Sequence, residues 1–332
     1  MYTTFYDLKE RPFEITPDPQ FLYLSESHRE GLAHLVYSVK ERKGFTVITG
    51  EVGTGKTTLI QTLLSRLDGK TRTAFVFNPN LGSTDFLQYV CRDFGLSGQN
   101  RSKGQAISRL HNFLLDCYAR DEKAVLIIDE AQNLDPGLLE EVRLLTNLET
   151  PKSKLLQVIL VGQPELNRVI DDPRFRQLKQ RISLRYHMRP LNEGEMKKYI
   201  IYRLIKAGAG DTRLFTPKAL RRIFRYSKGI PRLVNVLCDN ALLNGYAEEQ
   251  KMVGDRIIRE VIQSLDGGES QKRKNLHLFA ASLIGISCLL GVVLLWRLGI
   301  FRSLGLQAAQ AINGMQDILQ RVHDWAFGRI LG

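Results

Sequence analysis

The chain has 332 residues, of which 43% are hydrophobic and 25% charged, ordinary globular usage that argues against a disordered or low-complexity protein. At ~100–200 residues per domain it fits two or three packing units rather than one core. Four scattered cysteines, Cys91, Cys117, Cys238 and Cys288, argue against a zinc site or disulfide framework; the net charge of +12 suits phosphate partners, so DNA stays open though not favoured, because basic composition alone is a weak signal.

In chain order, the apolar run at residues 44–49 predicts a strand, and the segment from Leu59 predicts a helix. Between them, Gly50-x-x-x-x-Gly55-Lys56-Thr57 has the full spacing of a phosphate-binding loop, in the strand-then-helix context that the motif requires. Glycines let the backbone double back so that successive N–H groups face phosphate oxygens, with the positive end of the following helix aimed at the same spot. Gly50, Glu51, Val52, Gly53, Thr54, Gly55, Lys56, Thr57 and Thr58 are therefore the candidate ATP-binding residues. Lys56 would contact the β and γ phosphates, and the Thr57 hydroxyl would ligate Mg2+.

A strand is expected at residues 73–77, and amphipathic helices at 83–94 and 105–119. The apolar run 124–128 suits a strand buried on both faces of a parallel sheet, and it ends in two carboxylates. Asp129 would hold the magnesium through water, and Glu130 would activate the attacking water as general base. Asp135-Pro136 reads as a helix cap followed by proline at the first helical position. The strand expected at 155–161 ends in Gly162-Gln163-Pro164, where Gln163 would either orient the attacking water or cap the next helix. This alternation predicts a parallel sheet with helices on both faces and ligands at the carboxyl ends of its strands.

After a last strand at 182–186 helices take over, giving a small helical lid. Asn192 and Glu195 have capping-box spacing, Thr216-Pro217 opens a second helix, and a third begins at Arg232 after Gly229-Ile230-Pro231. Arg232 then lies beside the positive end of a helix dipole, a position that calls for a neighbouring anion such as a γ phosphate.

The phosphate loop, the Asp129-Glu130 pair, the strand-end amide, Arg232 and the helical lid together resemble an AAA+ ATPase. More narrowly, Phe5-Tyr6-Asp7-Leu8, Arg11-Pro12-Phe13, Pro17-Asp18-Pro19-Gln20-Phe21-Leu22-Tyr23-Leu24-Ser25, His28-Arg29-Glu30 and Gly44-Phe45 resemble the general secretion pathway protein A (ExeA-type) family over about residues 1–265. The resemblance implies an N-terminal segment packed near the adenine, Gln163 in the sensor 1 position and Arg232 as sensor 2. It also implies self-assembly into a ring or other homo-oligomer. An arginine finger would then reach a neighbouring subunit's site, with Arg181 the first choice and Arg176 the second; arginine suits this because its charged fork can neutralise a transferring phosphoryl group.

Residues 278–296 carry no charge and would span about 28 Å as a helix, close to the ~30 Å of a bilayer's hydrocarbon. Lys272-Arg273-Lys274 before the run, with Trp296 and Arg297 at its far end, fit interface anchors and put the N-terminal side in the cytoplasm. Ala308, Ile312, Met315, Leu319, Val322 and Ala326 recur at helical spacing, which predicts a short amphipathic tail beyond the membrane. Members of the family can carry a peptidoglycan-binding domain beyond the span, for which this chain has no room.

The organisation expected is an N-terminal segment (1–43), an AAA+ α/β domain (44–190), a helical lid (191–266), a basic tether (267–277), a transmembrane helix (278–296) and a tail (297–332). The expected function is a cytosolic-membrane ATPase that serves a cell-envelope secretion or surface-polymer export system through an envelope partner. The alternatives are a DNA-acting ATPase of transposition-helper or initiator type and a non-hydrolysing nucleotide switch.

Overall fold

Three of the expected strands are predominantly apolar, and they occupy the middle of a five-stranded parallel sheet. The computed structural model describes residues 1–16, 19–77, 79, 81–96, 98, 102–151, 153–267, 313–316 and 318–320. A short helix α1 (Tyr2–Phe5) and a longer α2 (Glu26–Lys40) precede the sheet. Then come β1 (Phe45–Gly50), α3 (Lys56–Arg66), β2 (Thr71–Val76), α4 (Ser83–Asp93), α5 (Lys103–Ala119) and β3 (Lys123–Ile128). The chain continues through α6 (Pro136–Leu145), a two-stranded hairpin of β4 (Glu149–Thr150) and β5 (Ser153–Lys154), β6 (Leu156–Gly162), α7 (Glu165–Asp171), α8 (Arg176–Arg181) and β7 (Ile182–Met188). The lid helices are α9 (Glu193–Lys206), α10 (Pro217–Ser227) and α11 (Pro231–Ala247), followed by a helix over residues 255–267.

Strand order is β2-β3-β6-β1-β7. The central strands β1 and β6 are buried at every position and β3 at all but its first, whereas the edge strands β2 and β7 alternate, as one-sided cover requires. On one face Val47, Leu126, Val158 and Leu160 pack against α4–α8; on the other Ile48, Val125, Ile127, Ile159 and Val161 pack against α2 and α3. With β3, β6 and β1 adjacent, the three loops expected to hold the site leave the sheet side by side.

Caps sit where the sequence puts them. Asp135 accepts from the Gly137 and Leu138 N–H groups, Asn192 and Glu195 form a reciprocal capping box, and Thr216 caps α10. Two details differ. Helix α11 starts at Pro231, one residue earlier than expected, and the β4–β5 hairpin has no counterpart in the sequence reading because each strand is two residues long.

Residues Met1–Ile262 make one compact unit and Gln263–Gly332 a second. In the second unit residues 313–316 and 318–320 are helical with exposed side chains, Met315 and Leu319 among them. Among the described residues no helix is long and apolar enough to cross a membrane. The uncharged run 278–296 and the basic tether at Lys272-Arg273-Lys274 lie outside the described residues.

Candidate functional site

The loop between β1 and α3 does what its glycines require. Gly53 and Gly55 have φ of +81° and +97°, left-handed values that strain any side chain, and Gly55 is the N-cap of α3. Lys56 is 6% exposed, and its Nζ donates to the Gly50 carbonyl at 2.8 Å and the Glu51 carbonyl at 3.1 Å. Burial pushes its pKa down, and the carboxylates of Glu130, Asp129, Glu51 and Glu165 pull it back up. The carboxylates thus offset only part of the effect of burial, and the net shift is downward.

Thr57 Oγ1 donates to Asp129 Oδ2 at 2.8 Å, so the hydroxyl and carboxylate assigned to one metal face each other across 72 residues of sequence. Asp129 is 4% exposed, and its second oxygen accepts from the Glu130 N–H at 2.9 Å. A hydroxyl and one carboxylate fit Mg2+, which keeps most of its ligands as water and phosphate oxygens. Among the described residues no group of three or more His, Cys, Asp or Glu is placed to hold a metal ion.

Glu130 stands at φ +51°, uncommon for a residue with a side chain. Its Oε2 accepts from Gln132 Nε2 at 2.6 Å and from Gln163 Nε2 at 3.3 Å. Gln132 in turn accepts from the Gln163 backbone N–H at 2.9 Å through its Oε1. The Gln163 side chain is thus directed at Glu130, and α7 begins without a side-chain cap. Gln132 escaped the sequence reading, since an amide two residues after a carboxylate is no motif.

The lid closes the cleft from above. The Arg232 N–H donates to the Gly53 carbonyl at 3.3 Å, and a methyl on Gly53 would come within 2.6 Å of Arg232 Cβ. Arg232 lines the cleft together with Lys56, Thr57 and Glu130, and among the described residues it has no ion pair.

The cleft measures about 560 Å³, a small-molecule size, and runs past the phosphate loop to a second wall made of Ile15, Phe21, Leu22 and Tyr23 with Tyr199, Arg203 and Asn235 of the lid. Arg203 is 6% exposed. It donates to the Tyr199 hydroxyl at 2.9 Å, to the Glu14 carbonyl at 3.2 Å and to the Pro12 carbonyl, and its guanidinium lies 4.8 Å from the Phe21 ring centroid. The Tyr199 hydroxyl donates to Asn235 Oδ1 at 2.8 Å, and burial raises its pKa. None of these three residues was foreseen. The signal was a charged side chain on the buried side of an amphipathic lid helix.

Arg181 lies elsewhere. It ends α8 just before β7, at the amino ends of the strands and away from the phosphate loop, where its Nη1 donates to Thr146 Oγ1 at 3.1 Å. Arg176, at the start of α8, is exposed. Neither lines the cleft of its own chain.

Residues 39–170 match the AAA domain family. The chain is similar to general secretion pathway protein A of Aeromonas hydrophila, 47% identical over 249 residues that cover 74% of this chain and 45% of that protein. The chain thus spans under half the length of that relative. Among solved structures, the Aeropyrum pernix ORC2 protein is 20% identical with a TM-score of 0.56, covering 77% of this chain and 71% of its own. Drosophila ORC bound to DNA is 17% identical with a TM-score of 0.59, covering 80% and 65%. At such identities these two show the fold alone. Sheet order, phosphate loop, strand-end carboxylates and lid define a P-loop protein of the AAA+ class. Within that class the chain belongs to the general secretion pathway protein A (ExeA-type) family.

Proposed function

We propose that the protein is an ATPase that binds ATP with Mg2+ and hydrolyses it in the cytoplasm. The observation that carries this reading is the 2.8 Å pairing of Thr57 with Asp129 beside Lys56, with Glu130 held at the same strand ends by two amides. Gly50 through Thr58 would cradle the phosphates, and Lys56 would leave the Gly50 and Glu51 carbonyls for the β and γ oxygens. Bound between Thr57, Asp129 and the phosphates, Mg2+ would neutralise charge on the transferring group. Glu130 would take the proton of the attacking water, with Gln163 and Gln132 fixing its carboxylate so that one oxygen faces that water. Arg232 would stabilise the γ phosphate from the lid, which would couple lid position to the state of the nucleotide.

Phosphate release tests this. Wild type should turn over ATP with magnesium, Glu130→Gln should bind ATP while losing about 10²–10⁴-fold in rate, and Lys56→Ala should lose binding. Equal, negligible turnover in wild type and Glu130→Gln would instead point to a nucleotide switch.

The position of Arg181 on the far end of the sheet supports a role toward a neighbouring subunit of a homo-oligomer rather than its own site. Mixing Arg181→Ala with Glu130→Gln subunits should restore some activity, because some interfaces would then carry an intact finger and an intact base. Similarity to general secretion pathway protein A supports a place in a cell-envelope secretion or surface-polymer export system. The 278–296 run would anchor the protein in the inner membrane, with residues 44–190 as motor and 191–266 as lid. Crosslinking in membranes should recover an envelope partner; recovery of the protein alone would count against that assignment. Beyond net charge and a distant fold likeness nothing supports DNA binding, and it is not proposed.

A further inference from the structure

Behind the phosphate loop stands a histidine that the reaction above does not use. His28 lies in the first turn of α2, is 5% exposed and borders the cleft. Its Nδ1 lies 2.6 Å from Ser25 Oγ, the cap of that helix. Its Nε2 points into the loop, 2.6 Å from where a methyl on Gly55 would sit. The Thr54 backbone beside the ring pulls its pKa upward against the lowering by burial, the direction a carbonyl acceptor gives. A ring with its proton on Nε2 would direct that proton at the Thr54 carbonyl while Nδ1 accepts from the Ser25 hydroxyl, an arrangement that fits the contacts on both sides.

The orientation matters because a phosphate cradle works only when its N–H groups face inward and its carbonyls do not. A donor behind the Thr54 carbonyl holds that peptide turned away from the anion. The imidazole also fills the space that a side chain at position 55 would need.

The same helix start is fixed to the joint between sheet and lid. Glu195 accepts from the Asn192 N–H at 3.1 Å within its own capping box and from the Glu26 N–H at 3.0 Å, so one carboxylate caps both α9 and α2. Ser27 Oγ accepts from the Arg189 N–H at 3.0 Å, and the Tyr186 hydroxyl donates to the Ser27 carbonyl at 2.8 Å. The first turn of α2 is thus held to the last strand and to the first lid helix, and His28 extends that anchorage to the phosphate loop.

We propose that His28 is a positioning residue for nucleotide binding, which holds the Thr54 peptide in its phosphate-binding orientation from a helix anchored at the lid joint. This rests on reading the cleft as an ATP site. The experiment compares full-length His28→Gln, His28→Asn and His28→Ala with wild type in steady-state ATP hydrolysis. A glutamine amide can present an N–H where Nε2 stood, whereas asparagine reaches only the Nδ1 position and alanine neither. Gln should keep KM for ATP within about twofold of wild type, and Asn and Ala should raise it about five- to tenfold, the size of one lost hydrogen bond, with kcat changed by less than about threefold. Equal KM in Gln and Asn, or a loss confined to kcat, would overturn the proposal while leaving the ATP site intact. Absence of ATP binding by wild type would overturn both. Should Ala fail to fold, the Gln and Asn pair decides the matter alone.

Discussion

Glu130 is a single residue under three constraints: a left-handed backbone, two amide donors on one carboxylate oxygen, and a neighbour, Asp129, that takes its N–H. Backbone strain of this kind costs on the order of 1–3 kcal/mol and persists where the surroundings over-determine it. Removing Gln163 should therefore free the carboxylate without emptying the site. Gln163→Ala is expected to lower kcat about tenfold with KM for ATP little changed, read by phosphate release; a raised KM with normal kcat would assign the amide to binding instead. His28 gives a pH prediction at the same scale. Burial lowers its pKa below the ordinary 6.5, so as pH falls the unfolded chain binds this proton first. Its share of stability is thus present above pH 6.5 and is lost as pH falls through the folded value. The drop in Tm on acidification from 6.5 should be shallower in His28→Gln than in wild type, and parallel curves would contradict the shift. The residues legible in sequence, Lys56, Thr57, Asp129 and Glu130, announce themselves by local spacing. Gln132, Arg203 and the contact of His28 with the loop do not, because their partners are distant along the chain or set by backbone geometry.

Among the elements, β6 carries an anomaly. Gln157 is 1% exposed in a central strand, pairs in register with Val125, and neither polar atom of its amide has a hydrogen-bond partner among the described residues. It shares a sheet face with Ile159 and Val161, under α2 and α3. An unpaired buried amide costs roughly 1–3 kcal/mol. Gln157→Met conserves volume and removes that cost, so Tm should rise by several degrees, at about 2–4 °C per kcal/mol for a domain of this size. An unchanged or lowered Tm would mean that the amide is satisfied after all. Elements with a strong period or a cap were legible: the apolar runs of β1, β3 and β6, and the lid helices opened by Asn192 and Thr216. The β4–β5 hairpin was not, since four paired residues leave no pattern to count.

Across the whole described unit, the N-terminal segment is shared between two halves. Residues 1–16 fasten to the lid: Lys9 N–H donates to the Ala207 carbonyl at 2.8 Å, the Tyr6 hydroxyl to the Gln250 carbonyl at 2.8 Å, the Tyr2 hydroxyl to Asp239, and Lys251 covers the Phe5 ring at 4.2 Å. Helix α2 packs instead on α3 and the sheet. Any motion of the lid therefore carries the strap of residues 11–16 with it, and that strap is one wall of the cleft. Arg203 is its pin, since it donates to the Pro12 and Glu14 carbonyls from inside the lid. Arg203→Met keeps the apolar stem and removes the fork, which leaves those carbonyls without their donor. The expected result is an ATP Kd raised about tenfold, with turnover at saturating ATP within about threefold of wild type. Arg203→Lys should rescue little, because a point charge cannot reach two carbonyls and the Tyr199 hydroxyl in one plane. Arg213→Met is the matching control: that arginine is exposed and paired with Asp211 two residues away, so its loss should leave the ATP Kd unchanged. An Arg203→Met protein that binds ATP as wild type does would show that the strap holds its place without the pin, and the coupling of lid to cleft would have to run through Arg232 and the anchored start of α2 instead.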